Sequence, residues 1–253
     1  MKSLTASDRS SLIRLAASLP VGDKNRRAIL AGLQGVHVAA GDVNVPDKHI
    51  LDNAEVSDKA EVSGNAEVRD YAEVYDKAEV SGNALVYGYA KVLGSAEVSG
   101  SAKVLGSAEV SDNAKVLGNA LVYGNAHVYH NAQVYGNAQV RGDTQVYASA
   151  KVYDKAQVFG SAGVSGWAEV SGSAKVYDKA EVYGNAKVLG SAQVYGSAGV
   201  GGGAVYGNAK VYGDALVEGG ARIGGTAEIM GGEWDGSEGE ITEGMWRGPG
   251  IPA

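Results

Sequence analysis

Histidine is the residue type in this 253-residue sequence that would first suggest catalysis or metal binding, and there are four: His37, His49, His127 and His130. A catalytic zinc site commonly uses three converging ligands, and a general base must reach its substrate. His127 and His130 stand three positions apart and supply at most two ligands. Cysteine is absent, which excludes thiolate metal sites, disulfides and cysteine nucleophiles. We therefore predict no metal, no cofactor and no catalytic residue.

The elements that must position these side chains follow a six-position repeat. A valine occupies every sixth position from Val56 to Val200, in 25 consecutive units. Alanine stands two positions before each of these valines, except at Thr144. Glycine or aspartate stands two positions after each of them, except at His130 and Ala148. Such a fixed period indicates a repeat architecture.

Each unit has the pattern of a short strand followed by a turn. Alanine and valine would point inward and the variable residues outward, which is the alternation of a strand. Glycine and aspartate suit the turn because they tolerate backbone conformations that other residues avoid. A helix would place equivalent positions of successive units on different faces, and each recurring glycine would cost it about 1 kcal/mol. The sequence therefore predicts an all-β fold.

This pattern resembles the hexapeptide-repeat superfamily of left-handed parallel β-helices, in which three hexapeptides form one triangular coil. The resemblance implies a triangular solenoid of about ten coils over residues 53–229. The left hand comes from the resemblance alone, because the general preference for right-handed crossovers points the other way. Residues 36–52 would form a lead-in, and residues 230–253 a cap, such as a short hairpin, or a tail that contacts a partner.

Residues 1–35 form a different segment, predicted as two short helices. Residues 1–34 carry six Lys or Arg against two Asp, a net charge of +4, which leaves −11 for the remainder. Two interpretations stay open: a helical hairpin packed on the first coil, or a module that docks onto another protein. The candidate docking residues are Leu12, Leu15, Arg26, Arg27, Ile29 and Leu33.

Composition bears on partners and location. The formal net charge of −7 argues against a nucleic-acid partner, which usually needs a basic surface. No apolar run approaches the roughly 20 residues needed to cross a bilayer, so no membrane partner is predicted. The N-terminus lacks the apolar segment of a secretion signal. We expect a protein that is intracellular or assembled into a particle, with the compartment unknown.

Function in the superfamily, as the resemblance implies, is divided among acyl- or acetyltransferases, zinc carbonic-anhydrase-like enzymes and non-catalytic scaffolds. The transferases typically interrupt their coils with an extruded loop, and the 25 units here have no insertion. Our leading hypothesis is a non-enzymatic structural protein attached through its N-terminal helices to a larger assembly, such as a phage or bacterial particle. The alternative is a hexapeptide-repeat acyltransferase or related enzyme with an inter-subunit site near His127 and His130.

One cluster departs from the consensus. His130 and Ala148 lie three units apart and should stack at one corner of adjacent coils, with Thr144 beside them and Gln145 over His127. The departures are either drift within a tolerant repeat, or a small local binding site or inter-subunit contact.

Outward aromatic residues are the other feature. Twelve of the 14 tyrosines directly follow the inward valine, and such columns could bind carbohydrate or form an interface. With three units in each coil, every third unit falls on the same face. On the third face, the position directly before each valine holds no glutamate after Glu67, up to Val200. We predict a homotrimer joined through this face, by residues Leu85, Tyr87, Leu105, Leu121, Tyr123, Phe159, Tyr177 and Tyr195.

Overall fold

The computed structural model describes residues 49–57, 59–249 and 251–252. The predicted N-terminal helices, with the six candidate docking residues, lie outside the described residues, as does most of the lead-in. Near the start of the described chain, Ile50 forms a parallel bridge with Val68, its equivalent one coil further on.

The predicted all-β solenoid is confirmed. The strands form three sheets, and each coil contributes one strand to each sheet. Pairing is parallel and joins equivalent positions of successive coils, as in Val110 to Val128 and Val128 to Val146. The described residues form about eleven coils, one more than the ten that the repeat predicts.

The three sheets are named here in the order in which the chain reaches them. The first sheet contains Glu55–Val56, Glu73–Val74, Lys91–Val92, Glu109–Val110, His127–Val128, Gln145–Val146, Gly163–Val164, Glu181–Val182, Gly199–Val200, Leu216–Val217 and Glu233–Trp234. The second sheet contains Glu61–Val62, Glu79–Val80, Glu97–Val98, Lys115–Val116, Gln133–Val134, Lys151–Val152, Glu169–Val170, Lys187–Val188, Ala204–Val205, Arg222–Ile223 and Glu240–Ile241. The third sheet contains Glu67–Val68, Leu85–Gly88, Lys103–Gly106, Leu121–Gly124, Gln139–Gly142, Gln157–Val158, Lys175–Val176, Gln193–Val194, Lys210–Val211, Glu228–Ile229, Met245–Gly248 and Ile251–Pro252.

The core consists of the inward valine and alanine columns. From Val68 to Val200 every inward valine is fully buried, and the inward alanines between them are at most 1% exposed. Each buried valine contributes about 1.5–2 kcal/mol before chain entropy is subtracted. Valine stacks on valine and alanine on alanine, so the interior holds little beyond these two residue types.

Each coil turns at three corners, and in the described six-residue units the first turn residue has a left-handed backbone. Aspartates at this position have φ near +60°, a conformation that is unfavourable for residues with a side chain. A hydrogen bond from a backbone N–H of the next coil to the aspartate carboxylate compensates for this cost. The backbone N–H of Gly172, for example, donates to the Asp154 carboxylate at 3.1 Å, and that of Gly196 to Asp178 at 3.2 Å. This contact explains why aspartate replaces glycine at some corners.

The short unit between Val200 and Val205 is absorbed by a tight glycine corner. Val188 pairs with Val205 across it, in a coil that is one residue shorter than three full units. Gly203 takes the inward place of alanine, where an added Cβ would lie 2.7 Å from the carbonyl oxygen of Ala221 and 2.8 Å from a methyl of Val217.

At the same corner, Gly201 leaves room for an aromatic ring from the preceding coil. An added Cβ there would lie 2.5 Å from the ring of Tyr183. The Tyr183 hydroxyl reaches past this corner and donates to the Glu218 carboxylate at 2.8 Å. Burial, together with this hydrogen bond, raises the pKa of Tyr183 to about 12.

Residues 230–253, assigned from the sequence to a cap or tail, contain three further parallel strands. Trp234 pairs with Val217 and takes the inward place, and Trp246 pairs with Ile229. The two indoles meet edge to face with centroids 6.3 Å apart. The units here are one residue shorter or longer than six, which hides the period in the sequence. Met245–Gly248 also pairs antiparallel with Ile251–Pro252.

We predict that Gly203→Ala lowers the free energy of unfolding by about 1–3 kcal/mol, although it restores the consensus alanine, because the new methyl would overlap Ala221 and Val217. Gly220→Ala is the matched control, since an added Cβ there has no atom within 4 Å. Chemical denaturation measures both. Equal stability of Gly203→Ala and the parent would contradict this corner geometry.

Candidate interaction surface

A continuous column of large side chains runs along the outside of the third sheet. It consists of the residues that directly follow each inward residue: Arg69, Tyr87, Leu105, Tyr123, Arg141, Phe159, Tyr177, Tyr195, Tyr212, Met230 and Arg247. Parallel register places each of them beside the next, one strand spacing of about 4.8 Å away.

Four rings of this column form an uninterrupted stack, here called the aromatic ladder: Phe159, Tyr177, Tyr195 and Tyr212. Successive centroids are 4.8, 4.9 and 4.9 Å apart, and the planes differ by 3–6°. The guanidinium of Arg141 lies 4.4 Å from the Phe159 centroid and covers the first ring. Each stacked pair adds about 0.5–1.5 kcal/mol to the burial of its rings.

The ladder presents ring edges outward, because its ring faces are covered by neighbouring rings. The Tyr177 hydroxyl donates to the side-chain oxygen of Gln193 at 3.3 Å. Burial is the main cause that raises the pKa of Tyr177 and of Tyr195. Both phenols therefore stay neutral at physiological pH. A sugar that stacks on an aromatic ring needs an open face, and within the ladder the ring faces are covered by neighbouring rings and, at Phe159, by Arg141.

The eight predicted interface residues all lie on the third sheet, and each is half-buried in the single chain. Sequence sorting missed Tyr212, because the short unit shifts the count from one coil to the next. The sequence did contain a signal for Tyr212, because it directly follows the inward Val211, as the other column residues follow their inward residues. The face also continues to Lys210 and Glu228, which form an ion pair at 2.7 Å.

The third sheet is cationic as well as aromatic. Its outward residues beside the inward column include six Lys or Arg and two Glu, a net charge of +4: Arg69, Lys103, Arg141, Lys175, Lys210 and Arg247 against Glu67 and Glu228. Lys103 and Lys175 are exposed, and neither has an ion-pair partner among the residues that the structure describes.

The candidate local site divides between the surface and the core. His127 and His130 are exposed, and His130 and Ala148 both have φ near +60° at one corner. The backbone N–H of His130 donates to the Asp112 carboxylate at 3.0 Å, and its Nε2 lies 3.9 Å from the same oxygen. Thr144 instead faces the core and is fully buried. Its hydroxyl is therefore remote from any ligand at the surface.

Two other polar groups that could do chemistry have structural partners. The Nδ1–H of buried His49 donates to the carbonyl of Ala66 at 2.7 Å. The Tyr75 hydroxyl donates to Glu55, and this hydrogen bond is the largest cause that raises the pKa of Tyr75 to about 12. The Tyr75 phenol therefore stays protonated near neutral pH.

In the described part of the chain, no three His, Asp or Glu side chains lie close enough together to hold a metal ion. No helix among those residues is long and apolar enough to cross a membrane.

No protein-family model, curated protein or solved structure matches this chain at a significant level. The resemblance to hexapeptide-repeat proteins therefore rests on the repeat.

We predict that Thr144→Val raises the free energy of unfolding by about 1–2 kcal/mol, because the Thr144 hydroxyl is buried and has no hydrogen-bond partner among the described residues. An unpaired buried hydroxyl costs about 1–3 kcal/mol. Valine keeps the shape and removes the polar group. Exposed Thr226→Val is the control and should leave stability nearly unchanged. A Thr144→Val variant no more stable than the parent would contradict the absence of a partner.

Proposed function

We propose that this protein is a non-enzymatic structural component, a rigid β-solenoid prism that self-associates through its third sheet as a parallel homotrimer. The observation that carries the proposal is the continuous arginine and aromatic column of that sheet. Tyr, Phe and Arg are enriched at protein interfaces. The column of large side chains runs for about 48 Å along the sheet, and the outward ring edges of its four-ring ladder suit packing against another sheet.

The proposal includes membership of the hexapeptide-repeat superfamily and a left-handed coil. The support is the repeat: an aliphatic residue at every sixth position, a small residue two before it and a small or polar turn. A phage or bacterial particle is the proposed setting, by resemblance to the scaffold members of the superfamily.

Residues 1–34 are the proposed attachment module. They carry a net charge of +4 on a chain whose remainder carries −11, and they precede the first coil. The spacing of Leu12 and Leu15, and of Ile29 and Leu33, would place each pair on one face of a helix, which would suit docking onto another protein.

The double change Leu121→Glu with Tyr123→Glu should reduce the mass measured by light scattering threefold, from trimer to folded monomer, because it buries two carboxylates in the interface. Gln133→Glu with Tyr135→Glu makes the equivalent change around Val134 on the second sheet and should leave the trimer intact. A monomeric parent, or an unaffected third-sheet variant, would contradict the proposal. Acyl-CoA turnover that His130→Ala abolishes would favour the enzyme alternative.

Deleting residues 1–34 should abolish capture of the protein by its native assembly, while the circular dichroism spectrum of the β-solenoid remains. The matched control keeps the segment and changes Lys2 and Lys24 to Arg, which preserves its charge and spares the candidate docking residues. Recruitment of the deleted chain at the parent level would contradict the attachment role.

A further inference from the structure

A cyclic trimer needs two different contact surfaces on each copy. Rotation by a third of a turn brings a patch of one subunit against another patch of the next, so the contact is heterologous. If the third sheet mediates self-association, as proposed above, it must meet a different surface of the neighbouring copy. We infer that this surface is the first sheet.

Charge favours the first sheet as the partner. Its outward residues beside the inward column include seven acids and one lysine, a net charge of −6: Glu55, Glu73, Glu109, Glu181, Glu218, Glu233 and Asp235 against Lys91. The same positions of the second sheet have five acids and four bases, a net charge of −1. The third sheet, at +4, is therefore complementary to the first. Contact between two third sheets would bring two cationic surfaces together.

The corners point to the same pair of sheets. In a trimer, the two contacting sheets of each copy lie on either side of the corner that points toward the threefold axis. At the corner between the third and first sheets, Tyr71 and Tyr89 are 52% and 62% exposed, and their rings stack with centroids 5.2 Å apart. The corner between the second and third sheets is polar instead. The second residue of each turn there is polar throughout the described coils, from Asn65 to Glu243. An exposed aromatic pair is suited to a trimer axis.

Register follows from the height of each strand along the solenoid. Copies related by a threefold axis parallel to the solenoid lie at equal height. A third-sheet strand and the first-sheet strand that follows it in sequence differ by about a third of the strand spacing, roughly 1.6 Å. Strand Lys103–Gly106 is thus level with Glu109–Val110 of the neighbour, and Lys175–Val176 with Glu181–Val182. Each level pair joins an unpaired lysine to a carboxylate that has no ion pair among the described residues.

The same register places the start of the aromatic ladder opposite a gap in the first sheet. The stack of Tyr129 on Tyr147 ends at Gly163 and Ser165, whose outward positions are small. An added Cβ at Gly163 would find one atom, at 4.0 Å. At the same height on the neighbouring copy lies strand Gln157–Val158 of the third sheet, and Phe159 directly follows this strand. A recess thus lies level with a ring of the ladder.

The experiment uses two full-length variants that each damage one surface. The third-sheet variant is Leu121→Glu with Tyr123→Glu. The first-sheet variant is Gly163→Lys with Ser165→Lys, which fills the recess with cations and, at Gly163, enters open space. Ser63→Lys with Ser81→Lys on the second sheet is the matched control. Circular dichroism and thermal melting verify that each chain is folded, and light scattering measures mass.

We expect the control to remain trimeric and each damaged variant alone to be monomeric. An equimolar mixture of the two damaged variants should form dimers, because one retains an intact first sheet and the other an intact third sheet. Mass should therefore double on mixing. A first-sheet variant that stays trimeric, or a mixture that stays monomeric, would overturn the inference. A monomeric parent or a trimeric third-sheet variant would instead overturn the proposed self-association, so the two failures are distinguishable.

Discussion

Backbone hydrogen bonds between successive coils are the constraint on which the rest of this structure depends. The N–H of Glu109 donates to the carbonyl of Ala126 at 2.9 Å, and that of Ser111 to Val128 at 3.0 Å. Such bonds hold each coil one strand spacing above the next, so every side chain lies directly over its equivalent. The interior can then hold only residues that stack on copies of themselves at about 4.8 Å. Valine and alanine satisfy this condition.

The same constraint arranges the surface in columns. Ion pairs join equivalent positions of successive coils, as between Lys115 and Glu97 at 2.8 Å, where the hydrogen bond from the lysine lowers the pKa of the Glu97 carboxyl. Glutamates that stack on one another, such as Glu61 and Glu79, face like charge instead. Each face therefore acquires a net charge and a chemical character of its own, and the third sheet becomes cationic and aromatic.

Departures from the repeat have a definite energetic meaning in such a lattice. Ala148 adopts a left-handed backbone without the carboxylate bond that aspartate makes, which costs about 1–2 kcal/mol. Thr144 introduces into the alanine column a hydroxyl that has no hydrogen-bond partner in the described part of the chain. Both lie within one coil of His130. A fold with many identical coils tolerates these local costs because its cohesion is distributed along the whole array.

The sequence by itself determined the coil, the inward columns and the face on which most outward residues lie. Position within a unit sets the direction of a side chain, and position within a group of three units sets its face. Tertiary structure alone decided what happens where the unit length changes. Tyr212 joins the aromatic ladder across the shortened coil, and Trp234 and Trp246 take inward places in units that are shorter or longer than six. The period also predicts which outward residues are neighbours in a column, whereas the geometry of each contact, such as the near-parallel ring planes of the ladder and the open space at Gly163, came from the structure because it depends on side-chain conformation.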